Sequence, residues 1–335
     1  MYENSISCVK LPSGLTPNCN MELGIKQGDC LSPILFNLFV NDIGSIFNAS
    51  SDPVTLGNTS LSYLLYADDL LLLSKSKGGL QNSLDKLNTY AEKWHLEINI
   101  LKNNVIIFQK WGKGQPVNFK LGNTPINTCN TYSYLGITFD RKCNFKTATD
   151  DLKTKASKAL FSLYAALSNS DYLDINVHLK LFDTLIKPIL TYGCEIWLPN
   201  QYEKIFKSNI QKIDTIPFEK VHNTFCKRTL GVYKSTSNVL AKLELGRLPL
   251  LYPTAILILK YWSYIISKPK QSLLYNAYRS EYDNNSQWIL TVKYLLNACG
   301  LQYKWDSQTP LDSKLDLPRV KTKLKQVKHI PTKIS

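Results

Sequence analysis

Two adjacent aspartates sit among leucines in Tyr66-Ala67-Asp68-Asp69-Leu70-Leu71-Leu72-Leu73, the core of an apolar run from Leu61 to Leu73. Taking an ion out of water costs several kcal/mol even after relaxation. The pair is tolerable where the chain turns in solvent, and more so where a divalent cation neutralises it. The run therefore reads as two buried strands joined by a tight turn at the aspartates. An ordinary acidic turn fits the same letters, because Asp is common at turns, so the surrounding chain must decide.

Upstream, Ser32 and Pro33 are expected to open a helix, the serine as a cap and the proline in a first turn that needs no amide donor. Leu35, Leu38, Phe39 and Ile43 repeat at helical spacing, and a polar loop follows from Asn48 to Ser60. After the acidic turn, Gly78 and Gly79 are expected to release a helix with the stripe Leu80, Leu84, Leu87, Ala91 and Trp94. A short strand from Val105 to Phe108, a loop around Lys110, Gly112, Lys113 and Gly114, and alternation at Val117, Phe119 and Leu121 before Gly122-Asn123 follow. Tyr132 to Phe139 is the last strand candidate. From Asp150 the period becomes helical, with Leu152, Ala156, Leu160, Leu163 and Leu167 on one face and Lys153, Lys155 and Lys158 largely off it. Helices are also expected over Leu181 to Leu190, where Pro188 should bend or end the element, and over Val221 to Leu230. The tail from Arg319 has no acidic residue and reads as a frayed, solvated terminus, with Lys321, Lys325 and Lys328 opposite Val320, Leu324 and Val327.

Bulk properties narrow the partners. Lysine and arginine number 40 against 26 acidic residues, a formal charge of +14, which favours a polyanion such as nucleic acid over acidic metabolites. The eight cysteines lack a C-x-x-C pair and read as reduced intracellular thiols. His222 with Cys226 is a near miss for zinc, lacking a second ligand pair. The most apolar stretch, Leu248 to Ile266, carries Pro249, Pro253 and Lys260, so a buried helix is expected and not a membrane span. With no signal-like apolar core at Met1 to Lys10, the reading is a soluble protein.

The segment from Gly24 through Lys26, Gln27, Gly28, Ser32 and Pro33 to Phe39 resembles the part of non-LTR (LINE-type) retrotransposon reverse transcriptases that lines the template and incoming nucleotide. Tyr66-Ala67-Asp68-Asp69 resembles the metal-binding signature of that family, and it follows at the right distance. The stripe to Trp94 with Asn99 and Lys102 resembles the next palm motif, and Tyr134-Leu135-Gly136-Ile137 the hairpin after it. Ile186 to Gly193 with Glu195 and Trp197, then Gly246-Arg247-Leu248-Pro249, look like thumb and post-thumb, so the resemblance runs to about residue 250. It implies an α+β fold: a partial polymerase palm, an antiparallel sheet with packed helices, followed by an all-helical thumb and a helical C-terminal region. The expected divisions are 1–110 for the palm, 111–148 for a β-hairpin extension, 149–250 for the thumb and 251–335 for a basic helical region of unknown role.

The resemblance further implies primer extension on an RNA template from dNTPs, by phosphoryl transfer between two metals roughly 3.5–4 Å apart. Magnesium suits such an oxygen-rich site. Asp68 would bridge the metals and Asp69 support them; Gln27 and Gly28 would shape the pocket beside Tyr66 and Ala67. Lys102 would protonate the leaving group, although Asn103 follows it where the family usually has threonine. The family's other metal-ligating aspartate, in a phenylalanine-rich motif, has no counterpart in residues 1–23, whose only acids are Glu3 and Glu22. Nor do the fingers or an endonuclease. Weak magnesium binding and little polymerase activity of the isolated chain are therefore expected, with nucleic-acid binding without chemistry as the alternative. Nuclear action is what the family implies.

Overall fold

The computed structural model describes residues 6–20, 24–26, 28–47, 52–57, 59–109, 117–167, 174–199 and 210–326. Contacts divide the chain into one unit of Met1–Asn103 with Asn118–Asn127, and a second of Asn104–Val117 with Thr128–Ser335. The result is a mixed architecture of small antiparallel sheets and many helices, consistent with a palm followed by a helical region.

The first unit opens with two short ladders. Strand β1 (Ile6–Ser7) pairs with β4 (Cys19–Asn20), enclosing the pair β2 (Lys10–Leu11) and β3 (Gly14–Leu15). Helix α1 (Ser32–Phe39) and a 3-10 turn at Ile43–Phe47 follow. The segment expected to be a polar loop contains a hairpin, β5 (Val54–Leu56) with β6 (Thr59–Leu61). Its hydrogen bonds are the reason: the Lys75 amide donates to the Asp52 carbonyl at 2.9 Å and the Lys75 ammonium to Thr55 Oγ1 at 3.1 Å, so distant residues hold a stretch too polar to announce itself.

Strands β7 (Tyr63–Tyr66) and β8 (Asp69–Leu72) form the expected hairpin, half-buried and not fully buried. Tyr63, Leu65, Leu70 and Leu72 pack on a core of Ile43, Phe47 and Tyr90, together with Leu87 of α2 (Lys77–Lys93) and Trp94 just past its end. Helix α2 starts before the glycines expected to release it. Ser76 caps it, its hydroxyl accepting from the Gly79 amide at 3.1 Å, which places both glycines inside the first turn. Gln81 then bonds both backbone groups of Lys120, at 2.8 and 3.0 Å, and so joins α2 to the antiparallel pair Phe119–Leu121 and Thr124–Cys129.

In the second unit the 131–140 hairpin is the last β element of the described residues. Leu135 and Gly136 both have positive φ, as a two-residue hairpin turn requires. Helix α3 (Lys146–Leu167) buries Leu152, Ala156 and Leu160 on the stripe read from sequence. Helix α4 (Ile175–Leu181) runs through a π turn, Phe182–Ile186, into α5 (Lys187–Leu190). Pro188 therefore does not end the element. Its ring and missing amide are accommodated one turn earlier, where the Lys187 amide reaches back five residues to the Phe182 carbonyl.

Beyond α6 (Cys194–Trp197) come α7 (Pro217–Thr229), α8 (Asn238–Glu244) and α9 (Leu251–Ile266). Helix α9 is the core of this unit, with Ala255, Ile258, Leu259 and Trp262 fully buried, as its apolar sequence implies. No helix among the described residues is long and apolar enough to cross a membrane. Around α9 lie α10 (Leu273–Asp283), α11 (Gln287–Ala298), α12 (Gln302–Ser307) and α13 (Asp316–Gln326). The tail is not frayed as far as Gln326: Val320 and Leu324 of α13 are buried in the same core as α9. Val327 and Lys328 lie outside the described residues.

Candidate active site

At the tip of β7 and β8 the register pairs Tyr66 with Asp69, leaving Ala67 and Asp68 as a two-residue turn. Alternation along a strand then decides where the side chains go. Leu65, Leu70 and Leu72 face the core, so Tyr66 and Asp69 fall on the opposite face. Tyr66 is 65% exposed, and Ala67, Asp68 and Asp69 are exposed as well. Ala67 adopts φ +51°, a left-handed conformation that costs a residue with a Cβ about 1–2 kcal/mol. The leucines on both strands hold the turn in that shape.

A second cluster forms at the start of α1. Gly24 and Gly28 have φ of +90° and +85°, conformations open to glycine. The Ser32 hydroxyl donates to the Lys26 carbonyl at 2.5 Å, and the Leu31 amide donates to Asp29 Oδ1 at 3.0 Å. Ser32 is thus the first helical residue, not the cap; Leu31 takes the cap position and Pro33 lies in the first turn. Asp29, which sequence reading passed over, orders this loop. Its signal was there, an Asp two residues before the cap position Leu31 in the manner of an Asx turn. Gln27 lies outside the described residues. The hydrogen bonds thus secure Lys26, Asp29 and Ser32 in one loop, and the ladder secures Tyr66 and Asp69 in one hairpin. Lys102 is exposed at the end of the 3-10 turn Ile100–Lys102.

Residues 11–139 match the family model described as reverse transcriptase (RNA-dependent DNA polymerase), and the acidic turn and the glycine loop both lie inside the match. This segment is a reverse-transcriptase domain. Similar proteins from Drosophila melanogaster are a probable RNA-directed DNA polymerase from transposon X-element, 25% identical over 56% of this chain and 21% of the relative, and the RNA-directed DNA polymerase from mobile element jockey, 28% identical over 57% and 20%. The retrovirus-related Pol polyprotein from the type-2 retrotransposable element R2DM is 34% identical over 35% of this chain and 12% of its own length. The aligned part is thus about a fifth of the first two relatives.

Reverse transcriptases as a family use divalent metal. Among the described residues, no group of three or more His, Cys, Asp or Glu side chains is gathered to hold an ion. Asp68 and Asp69 supply two exposed carboxylates, whereas magnesium takes six oxygens in near-octahedral geometry. In the described part of the chain this donor set is incomplete.

Outside the matched segment, the motifs read as thumb and post-thumb resolve into two contacts. Tyr192 donates its hydroxyl to the Leu135 carbonyl at 2.9 Å, seating the Thr191-Tyr192-Gly193 motif on the turn of the 131–140 hairpin. Arg247 bonds Asp183 through both terminal nitrogens, at 2.6 and 3.3 Å, and donates from Nε to His222 Nε2 at 3.0 Å. That bond assigns the proton to His222 Nδ1, 3.4 Å from Glu219 Oε2, and Glu219 Oε1 accepts the Leu251 amide at 3.0 Å. Burial pushes the His222 pKa down, against the opposing pull of Glu219. His222 and Cys226 are therefore core residues. Cys226 is buried, its thiol pushed up to about 11 by desolvation, and all eight cysteines are free. Sequence reading missed Asp183 and Glu219; the spacing of Glu219 and His222 on one helical face was the available signal.

Proposed function

We propose that this chain is part of an RNA-directed DNA polymerase of a non-LTR retrotransposon, with the Asp68–Asp69 turn contributing carboxylates to phosphoryl transfer from a dNTP onto a primer paired with an RNA template. The observation that carries the reading is an acidic pair held at the exposed tip of an apolar hairpin inside the reverse-transcriptase match. A metal bound there would supply charge neutralisation for the transferred phosphoryl group. In this reading Asp68 would hold the metal and Asp69 would support it, beside Tyr66 and Ala67. Gly24, Lys26, Gln27, Gly28, Ser32 and Pro33 shape the nucleotide and template pocket. Lys102 donates a proton to the leaving pyrophosphate. Residues 149–250 act as the thumb.

Among the described residues the acidic set is incomplete, so the isolated polypeptide is expected to bind magnesium weakly and not to extend a primer. Purified chain incubated with a primed RNA template, dNTPs and magnesium tests this. A longer product that disappears in Asp68→Ala would overturn the incompleteness and establish the turn as catalytic. The second reading, nucleic-acid binding without chemistry, is favoured by the same incomplete set together with the charge of +14. It requires affinity for nucleic acid that falls steeply with salt while no product forms.

A further inference from the structure

Two stretches of the second unit carry cations and no acids. Residues 152–167 contain Lys153, Lys155 and Lys158, and residues 220–240 contain Lys220, Lys227, Arg228 and Lys234. They are brought together because α3 packs along α7: the Tyr164 hydroxyl donates to the Phe225 carbonyl at 3.3 Å. At the end of α7 the Arg228 guanidinium lies 4.2 Å from the centre of the Tyr164 ring and 5.8 Å from that of Phe161. Among the described residues no carboxylate forms an ion pair with Lys155, Lys158 or Arg228.

Two aromatic rings in these same stretches are open to solvent, Phe161 at 59% exposure and Tyr233 at 86%. The backbone on either side of Tyr233 is anchored. Gly231, at φ +66°, ends α7, and the Val232 amide returns to the Lys227 carbonyl at 3.1 Å in the usual glycine-terminated helix stop. The Lys227 ammonium then holds the Lys234 carbonyl at 2.7 Å, on the far side of Tyr233. A solvated ring on a doubly anchored loop loses little entropy when a flat partner stacks on it. Scattered exposed aromatics need no explanation. Exposed aromatics in the same stretches as cations that form no ion pair among the described residues have the composition of a surface for unpaired nucleotides, whose bases stack while their phosphates meet lysine and arginine.

We infer that the exposed side of α3, the end of α7 and the loop after it form a platform for a single-stranded polynucleotide, with Tyr233 and Phe161 stacking on bases and Lys155, Lys158 and Arg228 facing phosphates. This rests on the nucleic-acid reading above and adds a strand preference to it, because a duplex hides its base faces and would engage the cations alone. The test is fluorescence anisotropy of the full chain with labelled single-stranded RNA, single-stranded DNA and the matching duplex, at several salt concentrations, with melting curves for each variant. Tyr233→Ala is expected to weaken single-strand binding about ten-fold, leaving duplex affinity and melting unchanged. Phe161→Ala should act in the same direction, and Lys158→Glu should weaken all three. If wild-type chain binds and both aromatic variants match it, or lose duplex affinity equally, the platform is wrong while the nucleic-acid reading stands. If wild-type chain binds none of the three at low salt, the nucleic-acid reading itself falls.

Discussion

Gly136 turns the 131–140 hairpin at φ +82°, and a Cβ added there would stand 3.1 Å from Cε1 of Tyr192. Gly136→Ala combines a strained backbone with a close contact, and a loss of about 1–3 kcal/mol is expected, read as a lower urea midpoint at unchanged m-value. A wild-type midpoint would show that Tyr192 yields freely. The pair was half legible: Gly-Ile after Tyr-Leu marks a turn, but nothing local links it to a tyrosine 56 positions on. His222 shows the same limit in its titration. Its ordinary pKa of 6.5 is lowered in the fold, chiefly by burial. Below about pH 6.5 the unfolded chain takes up a proton that the native state resists, so stability falls as pH drops from neutral and rises with pH in that window. Urea midpoints between pH 7.5 and about 5.5 should decline in wild type and decline less in His222→Gln; parallel declines would assign the effect elsewhere.

At the scale of elements, amphipathic stripes were read well and interruptions poorly. Periodicity located α3 and the apolar α9 because a stripe of leucines must be buried whatever it meets. It could not foresee the π turn before Pro188, which depends on neighbours that make a widened turn preferable to a break. It also took the basic tail for a solvated end. Leu324 is 1% exposed, so Leu324→Ala is expected to cost about 2–5 kcal/mol. Lys321, on the outer face of the same helix, should tolerate alanine within about 0.5 kcal/mol. Thermal melting of the two variants separates a docked helix from a loose one, since equal midpoints would mean that α13 does not contribute to stability.

For the molecule as a whole, charge and acid placement set the expected behaviour. Magnesium binding to the native state would raise the melting temperature in proportion to ln(1 + [L]/Kd). With no group of three or more acidic, His or Cys side chains gathered among the described residues, 5 mM magnesium is expected to raise it by less than about 1 °C in the absence of nucleic acid. A larger rise that Asp68→Ala abolishes would reveal a complete site. Acid should act on the second unit. Burial alone would raise the pKa of Asp214 and of Asp316, but hydrogen bonds and a lysine beside each hold them lowered, for Asp214 from Asn238, Asn223 and Lys242, for Asp316 from Asp312, Lys304 and Tyr303. Their contribution is present above the ordinary value of 3.8 and is lost as pH falls below it toward their lowered values.

By itself the sequence determined the acidic hairpin and its family, because two charges between apolar runs have few places to go and because the glycine loop, the acidic turn and the second hairpin follow in a recognisable order. It also determined that the described residues after Asp150 carry helices and no strands. Only the tertiary structure decided that Ser32 braces a loop where a cap was expected, that His222 sits hydrogen-bonded between Glu219 and Arg247, and that Arg228 lies against Phe161 and Tyr164. The physical reason is common to all three: a side chain's partners across the fold are chosen by packing between distant segments, and local spacing carries no record of that choice.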